Sequence, residues 1–265
     1  MDFLKKIIFL RTDSWEKRRD NNEVKTCYWM IDTVLFDFGG TLFYEKRKIP
    51  ETETVMGGYQ ALERLGLDLP PFEEFFQIFQ SSYRSRSQEL SKTGLEISLR
   101  KFCREFFPRI GLRNDEEIID AYIWGRFQPH SQNDELYEDS LPALRALKPH
   151  KKIGLVSNAQ PHGILWYLDT TGIVGYFDEI IISGAVGFRK PDRRIFELAA
   201  DSICSEPESC LMVGDSPTAD VRGSKEAGME GVLIDRSGGF SDPDVPAIRS
   251  LRDIPRFIEG LERRG

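Results

Sequence analysis

A net charge of −7 over 265 residues, with a pI near 5.2, argues against a chain that grips nucleic-acid backbones, which need a basic surface. Cys27, Cys103, Cys204 and Cys210 show no paired spacing, which argues against a disulfide scaffold or a zinc site and fits a reducing cytoplasm. The length suits one large domain or a core carrying an insertion.

In chain order, residues 1–29 stand apart from the rest. Ile7 to Leu10 is apolar but too short to cross a membrane, and no small-residue cleavage site follows. No membrane association is expected. Met30-Ile31-Asp32 leads straight into the next apolar run, so two readings stay open: a start at Met30, or an extension that packs on the core or a partner.

Val34-Leu35-Phe36 has strand character and ends on Asp37, followed by Gly39, Gly40 and Thr41. From Thr41 to about Pro142 the strand signal vanishes. Apolar spacing predicts helices over 51–65, 72–90, 95–107 and 115–127, with Phe72, Phe75, Phe76 and Phe79, then Ile118, Ile119 and Tyr122, as helix–helix core. Gly57-Gly58 falls in the first of these, where glycine weakens a helix; it marks either a flexible loop or a close helix contact. Beyond lie a helix over 141–147, a strand ending at Ser157-Asn158, a helix over 161–168 and a strand over 179–183. Helices over 191–203 and 217–228 flank a strand that ends at Gly214-Asp215. A strand over 231–234, a turn-rich loop over 242–246 and a closing helix over 251–264 complete the chain.

The apolar runs lack alternation, as parallel strands buried on both faces do, so the pattern predicts an α/β, mostly parallel sheet. Four of them finish on polar residues: Asp37, then Ser157-Asn158, then the segment leading to Lys190-Pro191-Asp192, then Asp215 with Asp220 five residues on. Open α/β sheets place their chemistry at the carboxyl ends of strands.

These four segments, in this order, resemble the haloacid dehalogenase-like (HAD) hydrolase superfamily. Asp37-Phe-Gly-Gly-Thr-Leu42 is similar to its nucleophile loop, and Ser157-Asn158, Lys190-Pro-Asp192 and Gly214-Asp-Ser-Pro-Thr-Ala-Asp220 to its later motifs. The resemblance spans about residues 30 to 235. It implies a Rossmann-like three-layer core, residues 30–46 and 140–265, with a mostly parallel sheet and an inserted α-helical cap over 47–139. It implies Asp37 as a nucleophile that accepts a phosphoryl group, with Lys190 offsetting the crowded charge. It implies phosphate contacts from Ser157, Asn158 and Thr41, and a Mg2+ site built from Asp37, the Gly39 carbonyl, Asp215 and Asp220. Two of these residues keep a plainer reading beside the implied one. Ser157 has the makings of a helix cap, and Asp220 of an acid steadying the first turn of a helix.

The chain departs from the pattern at Gly39, where phosphatases of the superfamily carry a second Asp that protonates the leaving group. Loss of such a group costs roughly 10²- to 10⁴-fold. Dehalogenating members also lack that acid but are metal-free and do not keep a two-acid loop. The expectation is a cytoplasmic, magnesium-dependent hydrolase of a small phosphorylated metabolite. A dehalogenase-like hydrolase attacking carbon through Asp37, and a catalytically weakened phospho-ligand or protein-binding module, remain as alternatives. His162, just past Asn158, is read as a helix-start residue, with a substitute proton donor as its other reading.

Overall fold

The protein is described here by a computed structural model covering residues 30–90 and 93–263. The question of residues 1–29 lies outside these described residues. Six strands form one parallel sheet in the order β5-β4-β1-β6-β7-β8: β1 Thr33–Phe36, β4 Lys152–Ser157, β5 Glu179–Ile182, β6 Cys210–Gly214, β7 Glu230–Ile234 and β8 Ala247–Ile248. The central strand β1 runs beside β4 and β6, with Phe36 opposite Leu155 and Val213. The strand ends bearing Asp37, Ser157 and Asp215 therefore meet at one edge, because parallel neighbours in register end together.

Alternation along β1 divides the core into layers. Val34 and Phe36 join one cluster with Leu144, Leu165 and Ile258, from helices α5 (Ser140–Leu147), α6 (Pro161–Thr170) and α8 (Ile254–Glu262). Leu35 points the other way, to Ile195, Phe196 and Ala199 of α7 (Arg193–Ser202). This is the Rossmann-like, three-layer arrangement.

Between β1 and α5 the chain builds a separate helical cluster from α1 (Glu51–Arg64), α2 (Phe72–Leu90), α3 (Leu99–Phe106) and α4 (Glu116–Phe127). Phe75, Phe79, Phe106 and Tyr122 are fully buried there, and Phe75 meets Phe106 edge-on with ring centroids 5.2 Å apart. The aromatic stripe is packing, and burying such rings is the main source of stability for these helices. Gly57 and Gly58 are a close helix contact, not a loop. A side chain at Gly57 would collide with the Gly125 carbonyl, and one at Gly58 with the Tyr122 ring and the Arg126 stem.

Local features differ from the sequence expectations, beginning with the edge strand β8, for which no strand is predicted. An antiparallel ribbon, β2 (Phe43–Glu45) with β3 (Asp134–Leu136), lies where no strand is predicted. Its strands are three residues long and half charged, too short and polar to leave a period. The third helix starts at Leu99, not Leu95. Leu95 instead pairs with Phe188, and the Glu96 amide donates to the Gly187 carbonyl at 2.9 Å. The helix after β6 winds as a π-turn over Pro217–Arg222 before an α-turn at Gly223–Glu226.

Candidate active site

The loop after β1 is tied down at both ends. The Asp37 amide donates to the Val213 carbonyl at 2.9 Å, Gly40 N to Phe43 O at 2.7 Å and Leu42 N to Phe38 O at 2.9 Å. Gly40 has φ +72°, the left-handed region that only glycine enters readily, and any side chain there would overlap the Asp215 carboxylate. Gly39 is different. Its backbone is not left-handed, and a Cβ there would meet nothing within 4 Å.

Behind the loop, Arg236 donates to the Thr41 carbonyl at 2.7 Å, pairs with Asp139 at 3.0 Å and lies 3.6 Å from the Tyr137 ring centroid. Burial pushes the Asp139 pKa up, but Arg236, the Leu251 amide and the Ser250 hydroxyl outweigh it and hold the carboxyl below its ordinary value. This brace joins β7's exit to the loop. No sequence motif announced it, since an Arg and an Asp 97 residues apart carry no spacing signal.

At the strand ends the charges converge. Lys190 is almost wholly buried, with Nζ 2.7 Å from Asp37 Oδ1, 2.6 Å from Asp220 Oδ1 and 2.7 Å from the Val156 carbonyl. Burial alone would strip its proton, but Asp37 and Asp220 hold the ammonium above its ordinary pKa. Asp37 is raised above the usual carboxylate range. Burial is the main cause and Asp220 adds to it, while Lys190 pulls the other way. Ligand oxygens of Asp37, Asp215 and Asp220 lie within 4.8 Å of one another. Three carboxylates face one lysine, and the surplus negative charge, on hard oxygen donors, fits a divalent cation such as Mg2+. Asp220 also accepts from the Ser216 amide at 2.9 Å, so it steadies the turn after β6 as well as Lys190.

Asn158 clamps the lysine's backbone. Its side-chain amide donates to the Lys190 carbonyl at 2.9 Å, and its oxygen accepts from the Lys190 amide at 2.8 Å. Ser157 and Asn158, with Gly39 and Gly40, line a cavity of about 740 Å3 between the strand ends and the helical cluster. Thr41 does not line it, and neither do Asp37, Lys190, Asp215 and Asp220. The Thr41 side chain is fully buried, and its hydroxyl has no hydrogen-bond partner among the described residues.

The cavity wall includes ionisable residues that sequence reasoning missed. Glu45, His130 and Asp134 bring ligand atoms within 4.8 Å of one another, and Tyr167 donates to the His130 carbonyl. They come together only because the ribbon pairs distant segments. Arg126 lines the helical side. His162 lines it too, but burial pushes its pKa down to about 4 and its Nδ1 has no partner among the described residues.

Comparison with known proteins identifies the family. A model of the haloacid dehalogenase-like hydrolase family matches residues 31–228, and the chain belongs to that family of hydrolases. It is 29% identical over 229 residues to the glyceraldehyde 3-phosphate phosphatase of Methanopyrus kandleri, covering 86% of this chain and 92% of the relative. The solved HAD phosphatase of Thermococcus onnurineus superposes with a TM-score of 0.55 at 27% identity, over 86% of this chain and 98% of that one. A 2-haloacid dehalogenase from Pseudomonas syringae superposes with a TM-score of 0.64 at 22% identity, over 88% and 100%, and shares the fold.

Proposed function

We propose that the chain is a Mg2+-dependent phosphatase of small phosphorylated metabolites that works through an aspartyl-phosphate on Asp37. The observation that carries this reading is the meeting of Asp37, Asp215 and Asp220 around buried Lys190, next in the chain to the Phe38–Gly40 turn that lines a cavity large enough for a small ester. A reaction at carbon does not call for three acids in one place, whereas phosphoryl transfer is chiefly positioning and charge neutralisation. The phosphatase relatives support the same reaction class.

In this reading Asp37 attacks phosphorus, the ester oxygen departs, and water then cleaves the acyl phosphate to release inorganic phosphate. Lys190 keeps Asp37 oriented and offsets charge on the transferred group. Ser157 offers its hydroxyl to a phosphate oxygen beside the Asn158 backbone, with Asn158 also fixing the lysine. Asp37, Asp215 and the Gly39 carbonyl would hold the cation, with Asp220 steadying the group. The cation, when bound, would neutralise the phosphate oxygens. The helices over 51–127 act as the cap that covers the cavity.

The test is turnover of a phosphate-ester panel and of 2-haloacids, with and without magnesium. Hydrolysis of phosphate esters only with magnesium, abolished in Asp37→Asn, is the expected result. Haloacid turnover without metal, or an Asp37→Asn enzyme at the wild-type rate, would replace this reading.

A further inference from the structure

Arg126 is the feature of the cavity that neither the fold nor the proposed chemistry uses. It sits in the last turn of α4, half-buried, and lines the same cavity as Gly39, Ser157 and Asn158. Among the described residues it forms no ion pair. Its guanidinium lies 4.6 Å from the Phe79 ring centroid and 5.8 Å from that of Tyr122, and donates to the Tyr122 hydroxyl at 3.4 Å. These rings orient the group but do not neutralise it, because a π face and a long neutral hydrogen bond are far weaker than a carboxylate partner. The absence of a side chain on Gly58 leaves the room through which the arginine stem passes. The fold therefore holds a cation against the cavity with no carboxylate paired to it among the described residues.

The rest of the wall says where an anion can go. Glu45 and Asp134 occupy the ribbon side, near His130, and would repel one. The proposed phosphoryl site takes the side lined by Gly39, Gly40, Ser157 and Asn158. We infer that Arg126 binds a second oxyanion on the organic half of the substrate, so that preferred substrates are phosphate monoesters carrying a carboxylate or a further phosphate. The planar guanidinium fork suits either oxyanion, and charge-assisted hydrogen bonds of this kind are the strong ones. The inference rests on the phosphatase reading of the same cavity.

The experiment compares kcat/KM for three groups of esters. Phosphoglycolate and 3-phosphoglycerate carry a carboxylate, fructose 1,6-bisphosphate a second phosphate, and glycerol 1-phosphate a neutral tail. The wild type is expected to prefer one or both oxyanion groups over the neutral one, and whichever group it prefers identifies the oxyanion. Arg126→Met is expected to lower the ratio of oxyanion-tailed to neutral-tailed kcat/KM by roughly 10- to 100-fold, mainly through KM, as loss of a charged hydrogen-bond partner does. Arg126→Lys should restore part of that ratio. A merely structural arginine would reduce all substrates together and leave the ratio unmoved, which overturns the inference. A wild type with no preference for either oxyanion group overturns it too, whether or not the variants fold. Failure to hydrolyse any phosphate ester sinks the phosphatase reading itself. Calorimetry of phosphoglycolate against methyl phosphate, in the wild type and Arg126→Lys, then reads the arginine separately: equal affinities for the two ligands in the wild type would overturn it.

Discussion

Two positions at the site can each be tested with a single side chain, one for chemistry and one for stability. Gly39 lacks the acid that would help a leaving group depart, yet the backbone there is ordinary and the space beside it open. Gly39→Asp should therefore fold, and should raise activity on alkyl phosphates by up to roughly 10²- to 10⁴-fold, the range of a placed acid–base group. Melting temperatures establish folding and steady-state rates on alkyl against aryl phosphates read the gain. A folded variant with no gain, beside a wild type already fast on alkyl esters, would mean that another group of the wall supplies the proton. Gly40 tolerates no such change, since a side chain there strikes Asp215. His162 is the second position. Its folded pKa of about 4 lies below the unfolded value near 6.5, through burial first and Arg100 second, with Asp120 opposing. The unfolded chain takes up the proton more readily, so this residue's contribution is intact at pH 7 and is lost as pH falls from about 6.5 towards 4. At pH 5 that loss is about 2 kcal/mol. Urea unfolding at pH 7 and pH 5 should show a smaller loss in His162→Phe than in the wild type; equal losses would refute the assignment.

At the level of elements, the contact between α1 and α4 sets the shape of the helical cluster. Gly125 would place a methyl group against the Gly57 carbonyl and the Ala61 side chain. On an open helix, glycine to alanine stabilises by up to about 1 kcal/mol. Here overpacking, typically about 1–3 kcal/mol, opposes that gain and should win. Gly125→Ala should lower the urea midpoint, and a raised midpoint would mean the helices are less tightly apposed than drawn. The elements themselves were largely legible from sequence. The helix over 72–90 has the predicted bounds, and the strand read as ending at Ser157-Asn158 ends at Ser157, because each pattern runs long enough to read. The strand-end residues Asp37, Ser157 and Asp215 were legible because a polar residue closing an apolar run is conspicuous. The ribbon, the Arg236–Asp139 brace and the Glu45–His130–Asp134 group were not. Each depends on residues brought together across long stretches of chain, and a local pattern records no such meeting. Arg126 was invisible for another reason: nothing in its neighbours' identities says that its charge goes unanswered.

For the whole molecule, the carboxylates and their lysine couple ligand binding to stability. A cation that binds only the folded chain should stabilise it by about 2.7 kcal/mol at 100 times its Kd. Magnesium should raise the melting temperature of the wild type and not that of Asp215→Asn; an unchanged magnesium shift in that variant would place the cation elsewhere. Among the described residues no helix is long and apolar enough to cross a membrane. The helical cluster has an apolar interior of its own, joined to that of the sheet through Phe127 and Trp124, and the chain passes between the two at adjacent points. There Asn133 accepts from the Arg47 amide at 3.2 Å and donates to the Arg47 carbonyl at 2.9 Å, stapling departure to return. The first and last helices are also the pair locked by glycines. A segment whose ends touch and which carries most of its own interior is a cassette. Splicing a relative's segment in at residues 47 and 133 would exchange the helical side of the cavity, Arg126 included, while Asp37, Asp215 and Asp220 stay where they are.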